Sequence, residues 1–304
     1  MRLHAHHAIQ VSVGLSGRVQ FRTSNSDAWQ SYDAVMIPPD RTHTFQAPGK
    51  TIAHLFCEPE SVLGRALRLR FGGEDICAVA APEISQRAAH LASAFDDGQA
   101  DENIEEIVLE ALYSLAERIV PQPVDQRIKQ AMTFIWGRLA DTLTLEDVAT
   151  HVGLSPGRFR HLFVQETGIS FRSYLLWTRL NRALDLGYTH GSWTNAAHAT
   201  NFADSAHLTR TARRMYGFAP RLPAPEWAGG NGSTDWLAPI FNSRTMDRFI
   251  EPCITATRGT NNVRQIFTPP DFVARTTHPH HCRRRRIRCP HDGTAAVRSR
   301  PVAQ

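Results

Sequence analysis

Long apolar segments are absent from this chain of 304 residues. A membrane-spanning helix needs about 18 or more consecutive apolar residues, and no uncharged stretch approaches that length. The first residues, Met1-Arg2-Leu3-His4, also lack the apolar core of a secretory signal peptide. We therefore expect a cytoplasmic protein that has no membrane partner.

Cysteine is scarce as well, since the chain has only five, scattered over its length. An odd and dispersed set is typical of reduced thiols and argues against a disulfide framework. The sequence also has neither a phosphate-binding glycine loop nor a nucleophile motif. These absences favour a binding protein over an enzyme, and we expect no cofactor.

Acidic residues become scarce in the second half of the chain. Residues 1–124 carry 10 Lys and Arg against 16 Asp and Glu, whereas residues 125–225 carry 12 against 7. Residues 226–304 carry 12 against 6. A polyanionic partner would therefore bind the second half and not the first.

The first 57 residues have the pattern of short strands separated by turns. Val11-Ser12-Val13 and Val19-Gln20-Phe21 alternate apolar and polar residues, and Ala34-Val35-Met36-Ile37 ends at two prolines. Ile52-Ala53-His54-Leu55-Phe56 predicts a further strand. We predict a small β domain over residues 1–80.

A helical pattern replaces the strands over residues 81–122. One apolar stripe with helical spacing consists of Ile104, Ile107, Val108, Ala111, Leu112, Leu115 and Ile119. This stripe either packs on the β domain or forms a homodimer contact over residues 103–119. Pro121 and Pro123 then predict a linker, because proline disfavours helix on both sides.

Two short helices joined by a sharp turn are predicted within residues 123–223. Thr144 is a suitable N-cap for the first, and Gly153 can adopt the left-handed conformation of the turn. Ser155 and Pro156 are typical of the start of the second helix. A hairpin of this form, with a basic outer face on its second helix, suits the major groove of DNA.

A second copy of the same pattern follows. Ser192 predicts the first cap, Asn201 the left-handed turn and Asp204 the second cap. A connecting helix from about Phe171 to Leu186 separates the two copies by roughly 24 Å at 1.5 Å per residue. Two such reading helices could enter successive major grooves, about 34 Å apart, on one face of a duplex.

Residues 125–220 resemble the AraC/XylS family of bacterial transcription regulators. The motifs that carry the resemblance are Leu145-Glu146-Asp147-Val148-Ala149, Gly153-Leu154-Ser155, Phe159-Arg160-His161-Leu162-Phe163, Glu166-Thr167-Gly168, Asn201-Phe202, His207-Leu208-Thr209-Arg210 and Arg213-Arg214-Met215-Tyr216-Gly217-Phe218-Ala219-Pro220. The resemblance implies DNA contacts by Gly157, Arg158, Arg160, His161, Ser205, Ala206, His207 and Arg210. Arginine can bind guanine through two hydrogen bonds, whereas Gly157 and Ala206 offer only shape or a methyl contact.

The same resemblance implies a cupin-like sensing domain at the N-terminus, here in a shortened form. His4, His6, Gln10 and His43 follow the spacing of cupin metal ligands, but Gln10 occupies the position of a glutamate. We therefore expect no metal here and regard these four as weak candidates. A small-ligand pocket and ordinary core histidines are the alternatives.

Residues 224–304 show no sustained periodicity, and we predict a disordered basic tail. His278, His280, His281, Cys282, Cys289 and His291 lie there, but their spacing is not that of a zinc finger.

The sequence thus predicts an α+β chain, with a β domain, helices and an all-α domain of two helix-turn-helix units. The expected function is DNA-binding transcription regulation, with double-stranded DNA, a small-molecule effector and RNA polymerase as partners. The alternative is a metal-dependent cupin enzyme with an accessory helical domain.

Overall fold

The computed structural model describes residues 2–72, 74–97, 101–220, 253–258 and 262–267. The first part of the chain forms β1 (Ile9–Gly14), β2 (Val19–Arg22), β3 (Gln30–Tyr32), β4 (Ala34–Ile37), β5 (Thr44–Gln46), β6 (Thr51–Cys57), α1 (Val62–Phe71), β7 (Cys77–Ala78), α2 (Ala81–Asp96) and α3 (Asp101–Leu115). The second part forms α4 (Gln126–Trp136), α5 (Leu145–His151), α6 (Pro156–Thr167), α7 (Phe171–His190), α8 (Trp193–Ala199), α9 (Ser205–Tyr216), β8 (Cys253–Arg258) and β9 (Asn262–Phe267). None of the helices in this described part combines the length and the apolar character that a bilayer crossing demands.

Two antiparallel sheets build the β domain. The larger has the strand order β7-β4-β1-β6-β8-β9, and the smaller has the order β3-β2-β5. Because side chains alternate along a strand, β1 buries Ile9, Val11 and Val13 on one face, in the core shared with the helices. Its other face carries Gln10 and Ser12, which are also buried. The interior of the domain therefore contains a polar layer.

Helices α1, α2 and α3 cover the apolar face of the larger sheet. The predicted helical stripe lies in this core, where Val108, Leu112 and Leu115 are fully buried with the residues of β1 and β6. The first interpretation of the stripe, packing on the β domain, is confirmed. Since the stripe is already covered within the chain, a homodimer could use only the other faces of α3.

Helix α1 was not predicted, because strands were assigned to residues 1–57 and a helical pattern only from residue 81 onward. Ser61 caps it by accepting a hydrogen bond from the backbone N–H of Gly64 at 2.9 Å. Leu63, Ala66 and Leu67 bury its inner face. Their spacing is helical, so the sequence did contain the signal.

Within the predicted tail, the structure describes two strands, β8 and β9. Strand β8 pairs antiparallel with β6, from Thr51↔Arg258 to Phe56↔Cys253, and β9 pairs with β8. Ile254, Thr255 and Thr257 are β-branched residues that favour strands. Strand β6 also needs a second neighbour, since an unpaired edge would leave its backbone groups unsatisfied. The histidines and cysteines of residues 278–291 lie outside the described residues.

Helices α4 to α9 form the all-α domain around two apolar cores. The first core collects α4, α5, α6 and the start of α7, and the second collects the rest of α7 with α8 and α9. Helix α7 ends at His190 and not near Leu186 as predicted. Gly187 explains the difference, because a Cβ there would lie 2.1 Å from the ring of Trp193. A glycine inside α7 thus admits the tryptophan of α8, and the helix continues past it.

The fold class is confirmed. A β domain with covering helices precedes an all-α domain that contains two helix-turn-helix units.

Candidate DNA-binding site

Local capping fixes the first helix-turn-helix unit, α5 with α6. Thr144 and Asp147 form a reciprocal capping box at the start of α5. Gly153 adopts the left-handed conformation, with φ of +67°. Ser155 then caps α6, whose first residue is Pro156. The caps at Thr144 and Ser155, the turn at Gly153 and the start of α6 at Pro156 were predicted from the sequence, whereas the reciprocal bond of Asp147 was not.

Helix α6 has one buried face and one exposed face. Phe159 and Phe163 are fully buried and Leu162 nearly so, in the first core of the all-α domain. The four predicted DNA contacts of this helix are exposed: Gly157, Arg158, Arg160 and His161. The outer face of α6 is therefore free to approach a ligand.

The second unit, α8 with α9, repeats this plan with different residues. Ser192 caps α8, and Asp204 caps α9 by accepting the backbone N–H of His207 at 2.5 Å. Asn201 makes the turn with φ of +57°. Leu208 and Ala212 are fully buried. The predicted cap residues and turn residue are thus confirmed here as well.

The predicted DNA contacts of α9 are not equally exposed. Ala206 and Arg210 are exposed, whereas Ser205 and His207 are half-buried. The ring of His207 lies edge-on to Phe202, with 5.1 Å between ring centroids. The side chain of His207 therefore also packs on the turn of its own unit.

A polar junction joins the two units, and sequence reasoning missed it. Asn201 Nδ2 donates to the carbonyl oxygen of Asp141 at 2.8 Å. Arg179, on α7, donates to the same carbonyl at 2.6 Å and to the carbonyl of Leu139 at 3.1 Å. The turn of the second unit is thereby bonded to the segment between α4 and α5. The only sequence signal was asparagine at a turn position that glycine fills in the first unit.

The basic residues of the two outer faces are available for anions. Among the described residues, the ion pairs of the all-α domain's arginines involve Arg127, Arg138 and Arg182, and Glu166 pairs with an arginine of α1. Arg160 and Arg210 belong to none of them. Their charges are therefore not neutralised by a carboxylate within the described part of the chain.

The β domain contacts the connecting helix α7 through a buried acid–base cluster. Trp177, on α7, donates its indole N–H to Glu58 at 3.2 Å. His7 lies between two carboxylates, with Nε2 2.7 Å from Glu60 and Nδ1 3.0 Å from Asp40.

Burial and charge act in opposite directions in this cluster. Burial alone would lower the pKa of His7, but Glu60 and Asp40 raise it to about 10. Burial, reinforced by the nearby Glu60, raises the pKa of Glu58 to about 8. The contact with α7 therefore combines a histidine that favours its protonated form with a carboxyl of Glu58 that favours its neutral form.

All four weak metal candidates come together between the two sheets. His4, His6 and His43 are buried, and one ring nitrogen of each lies within 4.8 Å of the others. Gln10 Oε1 lies 2.9 Å from His6 Nε2 and 3.2 Å from His43 Nε2. Burial is the largest cause that lowers the pKa of each of the three histidines, to about 3 for His4, so neutral imidazoles fill this site.

Comparison with known proteins agrees with this geometry. A family model described as a helix-turn-helix domain matches residues 148–222. The regulatory protein PocR of Salmonella typhimurium is 36% identical over 103 residues, which are 33% of this chain and 34% of that protein. The arabinose operon regulatory protein of Escherichia coli is 32% identical over 119 residues, which are 38% of this chain and 40% of that protein.

Among solved structures, ToxT from Vibrio cholerae aligns with 71% of this chain and 88% of that chain, at 10% identity and a TM-score of 0.47. This chain spans well under half the length of either sequence relative above.

The all-α domain is thus a double helix-turn-helix domain, with α5 and α6 as its first unit and α8 and α9 as its second. Over this domain the chain is similar to two proteins, at 36% and 32% identity. Both relatives are named as regulatory proteins.

Proposed function

We propose that this chain is a sequence-specific transcription regulator that binds double-stranded DNA with α6 and α9. One observation carries the proposal: two separately capped units each present an exposed basic helix face, and a single helix joins them. Helix α7 has 20 residues, which corresponds to about 30 Å at 1.5 Å per residue. Successive major grooves on one face of B-DNA are about 34 Å apart, so a spacer of this length suits two adjacent grooves.

Residue roles follow from side-chain chemistry and exposure. Arg160 and Arg210 are proposed to read guanine through paired hydrogen bonds. His161 would donate or accept one hydrogen bond with the DNA. Arg158 lies in the first turn of α6. Gly157 and Ala206 admit close approach of a base or a thymine methyl group, and the half-buried Ser205 and His207 contact the DNA at the start of α9.

The β domain is proposed to regulate this binding in response to a small molecule. A cleft of about 700 Å³ lies beside α1 and α3, which is within the usual size of ligand pockets. Its lining includes Val62 and Tyr113, and these are 67% and 45% exposed. The contact between Glu58 and Trp177 gives a route from this domain to α7. RNA polymerase would be the partner in a regulator that activates transcription.

Selection of bound sequences from a random DNA pool, with the full chain, tests the DNA-binding part. We expect a recovered site with two half-sites. Arg160→Ala should weaken binding by about 1–3 kcal/mol and relax the preference at one base pair, and Arg210→Ala should do the same in the other half-site.

The matched control is Arg18→Ala, which removes an exposed charge from the β domain. We expect this variant to bind like the unaltered chain. Equal weakening of DNA binding by all three substitutions would show that binding depends on the net charge of the chain and not on contacts with bases. Loss of preference at the same base pair in both helix variants would contradict the placement in two grooves.

A further inference from the structure

The polar junction between the two helix-turn-helix units centres on one atom, the carbonyl oxygen of Asp141. This oxygen accepts hydrogen bonds from Asn201 Nδ2 at 2.8 Å, from the guanidinium of Arg179 at 2.6 Å and from the backbone N–H of Leu143 at 3.0 Å. A carbonyl oxygen has two lone pairs, so three donors use its whole accepting capacity. Asn201 belongs to the second unit, Arg179 to α7 and Asp141 to the segment before the first unit. One oxygen therefore joins both units and the helix between them.

Asp141 is itself held against the first unit. Its carboxylate accepts a hydrogen bond from Arg138 Nε at 2.6 Å, and its backbone N–H donates to the carbonyl of Arg138 at 3.1 Å. The guanidinium of Arg138 lies 5.1 Å from the ring centroid of Phe134, near the end of α4. That ring stacks on His151 of α5, with 4.0 Å between ring centroids. The carbonyl that Asn201 reaches is therefore fixed relative to α4 and α5.

The turn of the second unit does not by itself require an asparagine. Asn201 has φ of +57°, a left-handed conformation that glycine adopts without strain. The first unit has Gly153 at its turn, with φ of +67°. Asparagine tolerates this conformation better than most residues, and what it adds over glycine is an amide side chain. Because a carbonyl only accepts hydrogen bonds, the amide directs its nitrogen at Asp141. The asparagine therefore serves the contact between the two units.

Helix α8 is anchored at both ends. Gly191 and Ser192 connect it to α7, and at this end Trp193 packs over Gly187, where a Cβ would lie 2.1 Å from the indole ring. At the other end, Asn201 follows α8 by two residues and bonds to the segment before α5. A helix that is held at one end alone can swing about that end, and bonds at both ends oppose this motion. Helix α9, which follows the turn, thus has a defined position relative to α6.

We propose that Asn201, supported by Arg179, is a positioning residue that restricts the chain to one spacing between its two DNA half-sites. The inference rests on the proposed function, in which α6 and α9 enter adjacent grooves. One added base pair moves the second half-site by about 3.4 Å along the duplex and turns it by about 34° around the axis. A rigid pair of reading helices engages both half-sites at one spacing, whereas a mobile pair engages them over several. Asn201 acts through the position of α9, and base preference within each half-site stays with α6 and α9.

Binding to duplexes of altered spacing tests this role. Fluorescence anisotropy of the full chain compares the site selected from the random pool with the same site lengthened or shortened by one base pair between its half-sites. We expect the unaltered chain to bind the altered duplexes about tenfold or more weakly. Asn201→Gly removes the amide without adding strain. This variant should bind the selected site more weakly, and the altered duplexes about threefold more tightly, than the unaltered chain does.

The gain on altered duplexes distinguishes positioning from a structural role. A substitution that only destabilises the fold, or that only removes a DNA contact, weakens binding to every duplex. Asn201→Asp is the second variant, since aspartate tolerates the turn but its carboxylate cannot donate to the carbonyl of Asp141. It should show the same gain as Asn201→Gly.

Asn195→Ala is the matched control, because it removes an exposed asparagine side chain from α8 that takes no part in the junction. This variant should keep the spacing preference of the unaltered chain. No gain on the altered duplexes in either Asn201 variant, or an equal gain in Asn195→Ala, would overturn the role.

A measurement without DNA separates this inference from the proposed function. Spin labels on non-canonical amino acids in place of His161 and Ala206, which are exposed on α6 and α9, report the distance between the two helices by pulsed electron paramagnetic resonance. We expect one narrow distance distribution in the unaltered chain and a broader one in Asn201→Gly. Equal widths would overturn the positioning role, even in a chain that binds two half-sites. Broadening in a chain that selects no DNA sequence would overturn the proposed function and leave the positioning of α9 against α6 standing.

Discussion

The two helix-turn-helix units share one plan but draw their stability from different places. The first has a glycine turn and a core of aromatic rings, with Phe159 and Phe163 at its centre. The second buries two alanines of α8, and its turn is an asparagine bonded to Asp141. The comparison shows that the first unit has large aromatic side chains at its own centre, whereas the second packs small side chains against α7 and the β domain. Packing of this kind makes the second unit the place where the β domain can act.

The largest expected effect is in the core of the first unit. Phe163→Ala should lower the free energy of unfolding by about 3–5 kcal/mol, because it removes a fully buried ring. Urea denaturation measures this. The adjacent Val164→Ala is the control, since Val164 is 41% exposed and should change stability by no more than about 0.5 kcal/mol. Similar losses in both variants would contradict the assignment of the buried face.

A smaller effect tests the dependence of the second unit on the β domain. Trp177→Phe keeps the ring but removes the N–H that Glu58 accepts. We expect a loss of about 1–3 kcal/mol, the usual cost of leaving a buried polar group unpaired. Differential scanning calorimetry of the full chain measures it. An unchanged stability of Trp177→Phe would show that the hydrogen bond between Glu58 and Trp177 does not stabilise the second unit.

The pH dependence of the free energy of unfolding tests the same contact between Glu58 and α7. The pKa of Glu58 is about 8 in the folded chain against an ordinary 4.5, through burial and Glu60, with His7 opposing. A carboxyl with a raised pKa stabilises the folded chain only in its neutral form. The contribution of Glu58 to the free energy of unfolding is therefore fully present below pH 4.5 and is lost as the pH rises to about 8. Glu58→Gln keeps an acceptor for Trp177 and cannot titrate. Urea titrations from pH 5 to 8 should therefore show a shallower decline in this variant, and parallel curves would contradict the account.

The smallest effects come from exchanging the turn residues. Gly153→Asn should destabilise the first unit by about 1 kcal/mol or more, because a left-handed residue without a partner is strained. Asn201→Gly relieves that strain but loses the bond to Asp141, so its net effect should stay within about 1 kcal/mol. Paired thermal melts measure both variants. Stabilisation by Asn201→Gly of more than about 1 kcal/mol would show that the hydrogen bond between Asn201 and Asp141 does not stabilise the domain.

The sequence predicts the local features of this molecule well. Thr144, Ser155, Ser192 and Asp204 act as caps through bonds to residues three positions away, so their roles can be inferred from a short window. The left-handed turns at Gly153 and Asn201 are local in the same sense. The base-contact roles assigned to α6 and α9 stay predictions, because they concern DNA.

Features that join distant residues were not predicted. The bond from Asn201 to Asp141 spans 60 positions, and no periodicity encodes it. Strand β8 pairs with β6 across an even longer separation, so a pattern judged locally cannot indicate its partner. The packing of Trp193 against Gly187 could not be predicted from the sequence either, because a glycine in a helical pattern normally indicates the end of the helix. The histidine cluster is intermediate, since the spacing of its residues was visible in the sequence but the close packing of their rings was not.

Hydroxyl-radical footprinting of the full chain on a selected DNA site tests the central claim most directly. Two protected segments should lie on one face of the duplex, about 10–10.5 base pairs apart between centres. Arg160→Ala should weaken protection in one segment, and Arg210→Ala should weaken it in the other. A single protected segment that is lost in both variants would show that one chain does not place α6 and α9 in successive grooves.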